Sequence, residues 1–135
     1  MDWIDTVIPL SAIMTGSAEQ LQKQGPTRKS AVSLVEKLEV SGETYDANDM
    51  LYSFESSADY DPAPNLNLIT KPMLTINFAD DLTNPPQFLN LPTAANYTAV
   101  MIPAGPDSYG HMNIAHPAVW AAALQSFLIR PLLAN

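Results

Sequence analysis

The sequence predicts an α/β fold of three parallel strands, with a mostly helical insertion between the first and the second. Three observations carry this. Apolar runs that read as buried strands recur at 3–14, 71–79 and 97–103. Segments of helical spacing separate them, and strands alternating with helices imply a parallel sheet. The chain is 135 residues long and 47% apolar, which suits one domain with a core of its own.

The first run carries Ile4, Val7, Ile8, Leu10 and Ile13, and no basic segment precedes it, so it is not a secretory signal. A chain opening on a core strand is expected to be part of something larger. Residues 15–67 have another texture, polar and broken. Within them Val32, Val35 and Leu38 lie at helical spacing, with Gly42 as a stop. Asp46 is an N-cap with Asp49 three residues on, ahead of Met50, Leu51 and Phe54. That helix is expected to end near Ser57, and a proline-rich connector follows from 59 to 69.

The central strand, KPMLTINFA, places Met73, Leu74, Ile76 and Phe78 in one short run. Asp80 and Asp81 stand just past its carboxyl end, ahead of Pro85 and Pro86, where a short helix is expected over 86–91. In open α/β sheets functional groups gather beyond the carboxyl ends of the strands. After the third strand comes the loop AGPDSYGHMNIA, which holds His111. A final helix begins at Ala115 or His116 and carries Trp120, Leu124, Phe127 and Leu128 on one face.

Composition excludes several chemistries. Fourteen acidic residues against six basic give a net charge of −8, which disfavours nucleic acid and anionic membrane surfaces as partners. There is no cysteine, so thiolate nucleophiles, disulfides and cysteine-ligated zinc are out. No apolar run is long enough to span a bilayer, and a cytoplasmic location is expected. Two histidines are too few for a metal site, and neither metal nor cofactor is expected. Asp46, Asn48 and Asp49 lack the glycine and distal glutamate of a calcium loop. Asn96 opens a glycosylation sequon but leads directly into a strand, so it is discounted.

An acid after one strand, a histidine in the loop after the next and then a terminal helix is the closing order of an α/β-hydrolase triad. The resemblance extends further. DWIDTVIPLSAI resembles the strand after the nucleophile helix in homoserine O-acetyltransferase-like α/β hydrolases. DANDMLYSFESSADYDPAPNL is similar to that group's return from lid to core, INFADDLTNPP to its acid loop, and SYGHMNIAHPAVWAAALQSFL to its histidine loop and last helix. The similarity covers nearly the whole chain but corresponds to the C-terminal part of the family fold.

That resemblance implies a partial α/β-hydrolase fold in which 15–67 form a helical lid. It implies Asp81 as the triad acid, with Asp80 the runner-up, and His111 as the base. It also implies acyl transfer from a small-molecule ester or acyl substrate, once a serine-bearing half completes the site. No G-x-S-x-G elbow occurs in the sequence: Gly16-Ser17 lacks the second glycine and Ser108 the first. The isolated chain is therefore expected to be inactive. The rival expectation is a non-catalytic binding or assembly module that pairs, with a second copy or an N-terminal half, through the edge of its first strand.

Overall fold

The computed structural model describes residues 3–89 and 94–133. The elements run α1 (Trp3–Thr15), α2 (Ala18–Gln24), α3 (Arg28–Gly42), α4 (Ala47–Glu55), β1 (Met73–Phe78), β2 (Tyr97–Ile102) and α5 (Pro117–Leu133). Short 3₁₀ helices lie at Ala63–Leu68, Pro86–Phe88 and Gly110–Ala115.

The expectation of a partial α/β-hydrolase fold, with three parallel strands and a helical insertion after the first, is corrected. Among the described residues the sheet has two strands, β1 and β2, paired in parallel from Met73 opposite Tyr97 to Phe78 opposite Ile102. The expected first strand is helix α1. The reason lies in spacing and length. Ile4, Val7 and Ile8 stand at i, i+3 and i+4, and the segment runs for 13 residues where a buried strand spans four to eight. Pro9 lies inside this helix and forfeits one i→i−4 bond. Here the helix continues past it until the Gly16 N–H bonds the Ala12 carbonyl at 3.0 Å.

The insert folds as local chemistry dictates. Ser17 caps α2 by accepting from the Gln20 N–H at 3.2 Å. Thr27 and Ser30 form a reciprocal capping box at the start of α3, each side chain bonding the other's backbone N–H. Asp46 accepts from the N–H groups of Asn48 and Asp49 at the start of α4, so this acidic cluster is a helix cap. α4 ends at Glu55, close to the expected Ser57. The short helix after Pro85 covers Pro86–Phe88 and stops at an extended Leu89, short of the expected 86–91; residues 90 and 91 lie outside the described residues.

β1 and β2 are stapled at both levels. Asn96 donates its side-chain N–H groups to the carbonyls of Ile69 (2.8 Å) and Lys71 (2.9 Å), so the sequon asparagine fixes the lead-in to β1. The Thr75 and Tyr97 hydroxyls meet at 2.6 Å on one face. α5 packs against both strands and against the Gly110–Ala115 turn, while α1 packs on α3 and on that same turn.

Packing is shallow. Phe78 is the one large apolar side chain classed as buried among the described residues. Ile13, Phe54, Phe88, Ile114 and Leu128 are all more than half exposed. The chain exposes 9956 Å² at a mass of 14.7 kDa. The usual scaling for a compact monomer of that mass gives roughly 6900 Å². Parallel sheets are ordinarily covered on both faces, and among the described residues this sheet has two strands.

Candidate active site

β1 and β2 end side by side, with Phe78 paired to Ile102. The Ala79 N–H extends the ladder to the Ile102 carbonyl at 2.9 Å. Chain direction then reverses: the Asp81 N–H turns back on the Phe78 carbonyl at 3.3 Å. This turn delivers two adjacent carboxylates to the carboxyl end of the sheet, and the loop after β2 delivers His111 to the same place.

Asp81 Oδ2 lies 3.0 Å from His111 Nδ1. The Asp81 side chain is 8% exposed and that of His111 is 30% exposed. The other carboxylate oxygen, Oδ1, accepts from the backbone N–H groups of Thr83 and Asn84, each at 2.8 Å. This is an Asx turn: the carboxylate is held by its own following backbone before the histidine meets it. Burial pushes the Asp81 carboxyl up. The Asn84 N–H, the His111 hydrogen bond, the ring charge and the Thr83 N–H together outweigh burial, and the group lies below the ordinary aspartate range.

An ionised carboxylate only accepts, so the proton of this bond sits on Nδ1. The Asn84 amide lies 3.3 Å from Nδ1 and 3.5 Å from Asp81 Oδ2. It cannot donate to a nitrogen that already carries a proton, so its hydrogens serve the carboxylate. Nε2 is then the basic nitrogen, and it makes no hydrogen bond to any described residue. A cavity of about 260 Å³ adjoins the pair, lined by Ile76, Asn77, Phe78, Leu89 and Ile114 together with Asp81, Asn84 and His111. A larger cleft of about 560 Å³ lies behind the histidine loop and touches neither Asp81 nor His111. The smaller cavity is the candidate because it holds a buried acid bonded to an imidazole.

Asp80, the alternative acid, makes no bond to His111. Its Oδ2 accepts from the Ser108 hydroxyl at 2.7 Å and the Gly110 N–H at 3.1 Å, and its Oδ1 from the Asn113 amide at 3.3 Å. Asn113 is fully buried. It also donates to the Gly110 carbonyl at 2.8 Å and accepts from the Tyr109 N–H at 3.0 Å. His116 stands at the start of α5, its ring stacked on Tyr109 at 3.6 Å, away from the pair.

The corner between α1 and α2 braces both loops. The Thr83 hydroxyl donates to the Met14 carbonyl at 3.2 Å, and the Ser17 hydroxyl donates to the Ser108 carbonyl at 2.8 Å. Gly110 has φ +59, and a Cβ there would meet the Gly16 carbonyl oxygen at 2.3 Å. Only glycine fits a left-handed backbone pressed this closely on another chain segment. Ser17 and Ser108 are both buried, with their hydroxyls committed to Ser108 and Asp80, so neither is presented to the ring.

The pair Asp81–His111 was legible from sequence. Asn84 had a signal that went unread, since Asp-x-Thr-Asn after a strand is an Asx turn. The role of Asn113 had none. Among the described residues no group of three or more histidines and carboxylates is placed to hold a metal ion, and no helix is long and apolar enough to cross a membrane. The chain matches no protein-family model, no curated protein and no solved structure.

Proposed function

We propose that the chain supplies the acid and the base of a serine acyl-transfer site, the serine coming from a segment outside the described residues. One observation carries the reading: the buried, pre-held carboxylate of Asp81 bonds His111 Nδ1 at 3.0 Å, which leaves Nε2 as the base. That is the tautomer and orientation a Ser-His-Asp relay needs. In the reaction Nε2 takes the serine proton as the serine oxygen bonds the acyl carbon. Asp81 offsets the charge of the imidazolium. The proton then passes to the departing alcohol as its bond to the acyl carbon breaks, and water or an alcohol acceptor later takes the acyl group from serine. The absence of cysteine suits work in the cytosol.

The test is hydrolysis of a p-nitrophenyl acyl ester. Purified alone, the chain gives no turnover above free imidazole. Joined to the segment encoded immediately upstream, it turns over, and His111→Ala abolishes that. Turnover by the chain alone, in proportion to active sites, contradicts the reading.

A second reading has an observation of its own. The surface excess and the two-stranded sheet of the described residues suit a non-catalytic assembly module that pairs through a strand edge. Pairing through residues 3–14 as a strand is ruled out, because they are helical. A folded oligomer by light scattering, indifferent to His111→Ala and without activity when joined to the upstream segment, selects this reading.

A further inference from the structure

We propose that Asp80 is a positioning residue for His111: it sets the backbone from which the ring projects, while Asp81 holds the ring itself. The inference rests on the reading of His111 as the base. Two consecutive carboxylates hold two consecutive residues of the opposite loop. Asp80 takes the Gly110 N–H at 3.1 Å, and Asp81 takes the ring of the next residue at 3.0 Å. Asp80 also gathers Ser108 and Asn113, the two residues that bracket the turn carrying His111. Three donors from one six-residue loop converge on one carboxylate, two of them from residues classed as buried side chains.

This geometry answers a mechanical problem. Gly110 has the widest conformational freedom of any residue type and immediately precedes the base. A ring tethered only at Nδ1 can follow its backbone and still keep the bond to Asp81 part of the time. Fixing the N–H of the preceding glycine removes that freedom. The rest of the loop does not depend on Asp80: Ser17 holds the Ser108 carbonyl, and Asn113 closes on Tyr109 and Gly110. Removing the Asp80 carboxylate therefore loosens the aim of the ring more than it opens the fold.

The experiment reads the His111 tautomer by long-range ¹H–¹⁵N correlation at about pH 9, where an ordinary imidazole is neutral. It uses the chain as it is, with no serine and no ester, so it can fail while the acyl-transfer reading stands, and the reverse. The wild type shows the Nδ1–H form in excess. Asp80→Ala lowers the ratio of Nδ1–H to Nε2–H about tenfold, the scale of coupling within one hydrogen-bond network. Asp80→Asn keeps an acceptor oxygen for Ser108 and Gly110 and restores the ratio to within about twofold. If Asp80→Ala fails to fold, Ser108→Ala removes the 2.7 Å bond and shifts the ratio in the same direction by about twofold. A folded Asp80→Ala with lower urea stability and an unchanged ratio overturns the proposal, as does an unchanged ratio in Ser108→Ala.

Discussion

The bond between Asp81 and His111 predicts a measurable coupling energy. Asp81→Ala removes the acceptor of four hydrogen bonds, of which the one from the Asn84 side-chain amide is long, at 3.5 Å, and contributes little. Thr83 and Asn84 are exposed, so their N–H groups turn to water, at a cost of about 0.5 kcal/mol each. The ring bond is charge-assisted, because its acceptor is an ionised carboxylate. With the ring 30% exposed it contributes at the low end of that class, about 1.5 kcal/mol. The single substitution should then cost about 2.5 kcal/mol at pH ~5.5. In a double-mutant cycle with His111→Ala, measured by urea unfolding of the four proteins, the backbone contribution cancels. The cycle should return about 1.5 kcal/mol. Effects that add to within about 0.3 kcal/mol would refute the account of a carboxylate and ring acting as one unit.

Other consequences follow from the same geometry. The folded Asp81 carboxyl lies below its unfolded value, so its stabilisation is present above about pH 3.9 and is lost as pH falls through the folded value. Urea midpoints of the wild type should fall more steeply than those of Asp81→Asn between about pH 5 and 2, and parallel curves contradict this. Gly110→Ala forces a left-handed alanine against the Gly16 carbonyl. It should cost at least about 2 kcal/mol, and a midpoint temperature within about 2 °C of wild type would show the corner yields freely. Asn113→Asp sets a second carboxylate beside Asp80 in a fully buried position. Relative to the wild type, that variant should lose more stability at pH ~7 than at pH ~4, by chemical unfolding. Thr27→Ala breaks the capping box of α3 and should cost about 1 kcal/mol with a small loss of helical ellipticity.

Local signals decided how much could be read from sequence. The cap Asp46, the β-branched run ending at Phe78 and the helical face of α5 each express chemistry within one turn or one strand, and each formed. The apolar density of residues 3–14 reads as a strand, although Ile4, Val7 and Ile8 stand at i, i+3 and i+4 and the segment is α1. Strand order brings the ends of β1 and β2 together and makes the meeting of an acid with His111 legible; the choice of Asp81 over Asp80 rests on the resemblance of INFADDLTNPP to an acid loop. The work of Asp80 was not legible, since its three donors lie 28 to 33 residues away. Nor was that of Asn113, whose position in the sequence looks like any loop asparagine. Contacts of that kind are set by how two loops fold against the α1–α2 corner, and no local pattern encodes them.

Labelling by a serine-directed fluorophosphonate tests the central claim most directly. The chain alone should take up no label. Joined to the segment encoded upstream, the protein should label at one serine in that segment, and both His111→Ala and Asp81→Ala should slow labelling by at least about a hundredfold. Labelling of Ser17 or Ser108 in the chain alone, or a rate in the joined protein that ignores His111, would contradict it.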